Sequence, residues 1–235
     1  PPPNAVALVN PQLAPPGPDS LQQLCSVGLA FKLAHALVKR GRALGWPLAE
    51  QFDLRPLLDL VALGTVADMV PLTGENRVLV SAGLVRLNTL QRPGLFALKQ
   101  VAQVPGTIGA WEVGFQLAPR LNAAGRLENA TAALDLLRAR DPAAAESAAR
   151  LLDAQNRERQ QIERSIAEEV VATVRSRFHP QTDCVIVEGN LLWHVGVVGI
   201  VAARVLQEFY RPTLILGGDG YAWRGSGRSI EGFDL

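Results

Sequence analysis

Residues 61–72 read VALGTVADMVPL, an apolar run with one carboxylate, Asp68, near its centre. Burying a lone charge in such a run is costly unless the group is paired or bound to a metal. Two readings follow. In one, the run ends near Ala67 and Asp68 caps or turns the chain ahead of Pro71, which disfavours helix at Val70. In the other, Asp68 is a metal ligand or general base at the lip of a buried element, where α/β folds place their chemistry. A second stretch, QLAPRLNAAGR, sets Arg120, Asn122 and Arg126 partly in phase along a helix beginning at Pro119. Two guanidiniums and an amide flanking Ala-Ala-Gly suit phosphate, the small residues admitting a backbone at close range; an ordinary solvated helix face is the competing reading. A third, LWHVGVVG at residues 192–199, puts His194 and two glycines, Gly196 and Gly199, just before a helix N-terminus, where free amides and the helix dipole favour an anion. Trp193 beside them suits either base stacking or the core. Last, Gly225-Ser226-Gly227-Arg228-Ser229 reads as a flexible loop offering two hydroxyls and a guanidinium to phosphate.

These residues need elements to hold them. Residues 5–9, AVALV, lie between two asparagines and read as a buried strand. Residues 21–44 read as a core helix, 47–56 as a linker, and 76–90 as an amphipathic helix. From 141 to 178 no Gly or Pro interrupts the pattern after Pro142, and Ile162, Ile166, Val170, Val174 and Phe178 recur every fourth residue. Such a helix is about 55 Å long. A helix that long and that charged bridges two bodies, so the domain boundary is placed along it. Beyond it a strand at 183–188, a helix at 197–209 and a strand at 212–216 make an α/β unit.

The chain has 235 residues, 48% hydrophobic and 19% charged, enough for a globular core. A formal net charge of +1 excludes a broadly basic nucleic-acid binder and leaves room for a local basic groove. Cys25 and Cys184 stand alone in apolar contexts and read as buried free thiols of a reducing compartment, the cytoplasm. No apolar stretch reaches transmembrane length, so no membrane partner is expected. A start at PPPNAV without methionine and an end at GRSIEGFDL suggest a piece of a longer polypeptide.

Taken together and in this order, GTVADMVPL, PRLNAAGR, WHVGVVGIVAARV and GSGRS resemble the RecJ family of single-strand-specific exonucleases, in the DHH phosphoesterase superfamily. The resemblance covers nearly the whole chain. It implies an α/β fold in which residues 1–140 are the C-terminal part of a DHH-type catalytic domain. Residues 141–178 are then the connecting helix, and 179–235 the start of a smaller DHHA1-type substrate-binding domain, with single-stranded DNA between the lobes. It implies catalytic roles for Asp68 and His194, Asp68 being one ligand of a two-metal Mn2+ or Mg2+ site whose other ligands lie upstream. It implies DNA contacts for Arg120, Asn122, Arg126, Gly196, Ser226, Gly227, Arg228 and Ser229. The chain departs from the family pattern at Leu192 and Val195, where glycine and proline are expected. The implied activity is 5′ to 3′ hydrolysis of single-stranded DNA in recombination and repair, with a helicase and a single-strand-binding protein as candidate partners. The 235 residues by themselves are expected to be inactive. Two rival readings are a DHH phosphoesterase of short oligonucleotides or cyclic dinucleotides, and a non-catalytic scaffold of a helicase complex; Asp68 argues against the scaffold.

Overall fold

The computed structural model describes residues 4–13, 21–218 and 220–235. They form a helix-rich α/β protein with one small mixed sheet, divided into two compact units. The first takes Pro1–Pro119 with Ala139–Pro142, the second Arg120–Arg138 with Ala143–Leu235. From Ala143 onward the long helix falls in the second unit, and from Ile162 onward it shares a core with the residues that follow it.

In the first unit the helices are α1 (Ser26–Ala43), α2 (Pro47–Gln51), α3 (Leu58–Ala67), α4 (Gly74–Leu87), α5 (Pro93–Val101) and the short α6 (Ala110–Glu112), which runs into a π-helical turn, Val113–Leu117. The centre is α3 against α4. A Cβ on Gly83 of α4 would lie 2.2 Å from the Leu58 carbonyl oxygen and 2.6 Å from Ala62 Cβ, so only glycine permits this approach. Val61, Ala62, Leu63, Val80, Leu87, Leu95 and Leu98 are buried in this unit. Asn88 ties the next loop down by mimicking backbone: its Nδ2 donates to the Leu84 and Ile108 carbonyls, and its Oδ1 accepts from Ile108 N–H at 2.8 Å.

Two sequence expectations change in this unit. Residues 5–9 form no strand and are exposed, Val6 fully so, because a strand needs a neighbouring ladder and none adjoins it among the described residues. Helix α1 is less of a core helix than its leucines imply: α2 and α3 cover part of it, while Leu33 and Leu37 stay exposed.

The second unit adds α7 (Ala118–Leu127, from Arg120 onward), α8 (Thr131–Arg138), α9 (Pro142–Arg177), β1 (Ile186–Gly189), α10 (Val198–Phe209), β2 (Thr213–Gly218) and β3 (Trp223–Arg228). The sheet order is β1-β2-β3, with β1 parallel and β3 antiparallel to β2. The period-four stripe of α9 works as read: Ile166, Val170 and Val174 are buried against Val197, Val198, Val201 and Val205, with Ile162 and Phe178 partly buried at its ends. Ion pairs Arg175–Glu208 and Arg177–Glu188 fasten the end of α9 to α10 and β1. Trp193 belongs to this core, its indole N–H donating to Glu169 at 3.2 Å, so the core reading holds over base stacking.

Two corrections fall here. Cys25 is buried, but Cys184 is exposed because it precedes the first paired residue of β1, Ile186. The segment 225–229, expected as a flexible loop, is largely strand: residues up to Arg228 pair along β2, Ser226 opposite Ile215 and Arg228 opposite Thr213. Glycines weaken an isolated strand. In β3 they instead make room for β2, since a Cβ on Gly225 would lie 2.3 Å from a Leu216 methyl.

Candidate functional site

The geometry of the second unit converges on the first turn of α10. The amides of Val198 and Gly199, at the start of that helix, have no acceptor within it, and the helix dipole adds positive potential. Strand β3 brings two polar groups against this turn: a Cβ on Gly199 would lie 3.0 Å from Ser226 Oγ and 3.5 Å from Arg228 Nη2. Arg228 in turn donates to Ser226 Oγ at 3.2 Å and to the Gly227 carbonyl at 2.7 Å. A hydroxyl, a guanidinium and helix-terminal amides in one place suit an anion such as phosphate. The glycine at 199 keeps the concavity open. Ser229 turns elsewhere, its hydroxyl donating to the Phe233 carbonyl at 2.6 Å.

The loop before α10 is held from both sides of one residue. Gly196 N–H donates to His194 Nδ1 at 3.1 Å, and Gly196 O accepts from Arg126 Nη1 at 3.2 Å. A neutral His194 therefore carries its proton on Nε2, the nitrogen left for chemistry. Gly196 acts by lacking a side chain: a Cβ there would lie 1.9 Å from the Arg126 carbonyl oxygen. The structure thus joins Arg126, His194 and Gly196 in one hydrogen-bonded group and Ser226, Gly227 and Arg228 in another, at the two ends of residues 194–199.

Arg120 is placed differently. Its Nε donates to Asp153 Oδ1 at 2.9 Å, and Arg157 takes the other carboxylate oxygen at 2.8 Å. Asp153 is buried, so Arg120 fastens α7 to α9. Removing the charge while keeping the shape, Asp153→Asn, is expected to cost about 2 kcal/mol of stability, read by urea unfolding of the chain. Asn122 lies exposed. Sequence reasoning missed the buried polar face of α9, formed by Asp153, Gln155, Asn156 and Arg159. The every-fourth-residue stripe marks the apolar side of α9, but nothing in the sequence tells which of the remaining polar residues are enclosed.

Asp68 lies in the first unit at the end of α3. It caps the helix C-terminus in an α conformation, its N–H donating to Gly64 O at 3.0 Å, and Met69 follows at φ 56°. The side chain is exposed, with no hydrogen bond or ion pair found among the described residues. The capping reading is therefore the local structural one, and it leaves the carboxylate available. No group of three or more His, Cys, Asp or Glu side chains that fits a metal ion occurs among the described residues. One carboxylate contributes a ligand but does not make a site.

No family model matches the chain. It is 43% identical over 239 residues to the single-stranded-DNA-specific exonuclease RecJ of Bacillus subtilis (strain 168), an alignment taking in 99% of this chain and 28% of that protein. It is 39% identical over 253 residues to the protein of the same name from Escherichia coli (strain K12), with 99% and 42% covered. The crystal structure of RecJ in complex with Mg2+ from Thermus thermophilus superposes with a TM-score of 0.76 at 36% identity, over 91% of this chain and 32% of that one. The chain belongs to the RecJ family. It spans well under half the length of the curated RecJ proteins it matches. RecJ from Thermus thermophilus has also been crystallised with Mn2+, and an exonuclease RecJ bound to manganese superposes with a TM-score of 0.76. The four motifs that carried the resemblance thus belong to a chain alike over nearly its whole length. No described helix is long and apolar enough to cross a membrane.

Proposed function

We propose that this chain is part of a RecJ exonuclease that hydrolyses single-stranded DNA from the 5′ end with Mn2+ or Mg2+ as cofactor. The observation that carries the reading is identity of 39–43% across 99% of the chain with proteins named as single-stranded-DNA-specific exonucleases. The structure supports it with an anion site of the kind a DNA backbone needs, Ser226 and Arg228 set against the amides at the head of α10. In this reading Ser226, Arg228 and those amides hold a backbone or terminal phosphate and fix the strand's position. Arg126 and His194 Nε2 provide positive charge and a proton donor near the phosphate path. Asn122, exposed on α7, offers its amide to the strand. Asp68 contributes one carboxylate to a metal site whose remaining ligands lie outside this chain. The residues present do not themselves fit a two-metal centre, so hydrolysis is a property of the longer protein. Residues 1–140, 141–178 and 179–235 then correspond to the end of a DHH domain, a connecting helix and the start of a DHHA1 domain.

The test follows 5′- and 3′-labelled single and double strands through digestion by the full-length protein in Mn2+. Stepwise loss from the 5′ end of single strands alone is the expected result. Preference for substrates of two to five nucleotides would move the protein to the oligonucleotide phosphoesterases, and binding without digestion would make it a scaffold.

A further inference from the structure

Two helices of the second unit bring arginines to one carboxylate. Helix α9 supplies Arg159 and, one turn on, Glu163; α10 supplies Arg204. Glu163 is divided between two of them, 3.7 Å from Arg159 Nη1 and 3.4 Å from Arg204 Nη1. Both separations exceed the 2.7–2.9 Å or so of a strong charge-assisted hydrogen bond. Leu127, next to Arg126, packs on the core cluster that Ile162 of α9 also joins. Burial, opposed by the Glu163 carboxylate and aided by the Arg126 charge, holds the Arg159 guanidinium below its ordinary value. Two guanidiniums therefore share one carboxylate, a local excess of one positive charge.

That excess is costly where Arg159 sits. The residue is only 9% exposed, its Nη2 donates to Asn156 Oδ1 at 2.8 Å, and its Nε is buried with no acceptor among the described residues. An under-compensated buried cation is among the more destabilising features a core can hold. The Arg204 side chain is half exposed, so the cluster opens to solvent on one side. An anion at that opening offers both the missing charge and several acceptor oxygens.

We propose that Arg159 and Arg204, gathered around Glu163, form a seat for one backbone phosphate of single-stranded DNA, separate from the site at Ser226 and Arg228. The proposal rests on the RecJ reading above. Gly199 and Arg204 lie five residues apart on α10, about 140° around the helix axis, so the two sites use different faces of one helix. A strand passing both would be gripped at two phosphates.

The test measures binding of an oligo-dT to the full-length protein, in Ca2+ to suppress digestion, across a range of salt. Arg204→Gln, at a half-exposed position, is expected to lower the slope of log K against log salt by about 0.7, the release expected for one phosphate contact on a single strand. Glu163→Gln, isosteric, is expected to tighten binding several-fold, because it removes the anion that competes with phosphate. A structural ion pair predicts the opposite: Glu163→Gln neutral or weakening, Arg204→Gln with the wild-type slope. Either of these results overturns the proposal. Failure of the unmutated protein to bind oligo-dT would sink the RecJ reading itself, and the two failures are told apart by that control.

Discussion

Asp68→Asn in the full-length protein is expected to leave the fold intact while cutting single-strand digestion by roughly 10²–10³-fold. The rate follows from the proposed ligand role. Metal stabilisation of developing charge is worth several kcal/mol, and each tenfold in rate takes about 1.36 kcal/mol. The stability half of the prediction comes from this structure alone. Asp68 is exposed and unpaired among the described residues, so no contact is lost. It also sits at the C-terminus of α3, where the dipole is unfavourable to an anion by about 0.3–1 kcal/mol. The next residue, Met69, is a bulky side chain at φ 56°, a conformation that costs about 1–2 kcal/mol outside glycine. Asparagine should therefore match or slightly exceed aspartate in urea midpoint. A variant that loses stability and rate together would make Asp68 a folding residue and remove it from the metal site.

Gly196→Ala is expected to lower stability by about 3 kcal/mol or more and, in the full-length protein, to weaken single-strand binding. The Cβ has nowhere to go. It meets the carbonyl oxygen of Arg126 at 1.9 Å and the carbonyl carbon at 2.8 Å, and both belong to helical backbone that cannot swing aside as a side chain can. Relief requires moving the loop away from α7, which breaks the Arg126–Gly196 hydrogen bond and takes His194 with it. Urea unfolding reads the first effect and oligo-dT binding the second. Serine or valine at 196 should be no better than alanine. An alanine variant with wild-type stability would show that the loop has room the structure does not display.

How much was legible beforehand depends on the kind of contact involved. Local periodicity carried the helices: the every-fourth-residue stripe of α9 packs as its spacing requires, and α3 ends at Ala67, ahead of Pro71. Patterns that need a distant partner did not carry. Residues 5–9 look like a strand until the ladder is sought, and GSGRS looks like a loop until Leu214 and Leu216 are found lying over its glycines. Charged residues were hardest, because an arginine facing water and an arginine answering a buried carboxylate have the same letter. Arg120, read as a phosphate contact, is held by Asp153; Arg159, which no pattern in the sequence singles out, is nearly enclosed. The motifs named the second unit's candidate residues, and their division into an Arg126–Gly196–His194 group and a Ser226–Arg228 group is visible only in the fold.

The pairing of β3 with β2 has an arithmetical side. Ser226 and Arg228 share a parity, and so do Gly225 and Gly227; the first pair faces α10 and the second lies under Leu216 and Leu214. Evolution along this strand is therefore free to change length only in twos. One residue gained or lost ahead of Ser226 would turn bare glycine toward α10 and drive an arginine and a serine into the leucines, silencing the anion site while leaving every letter of the motif in place.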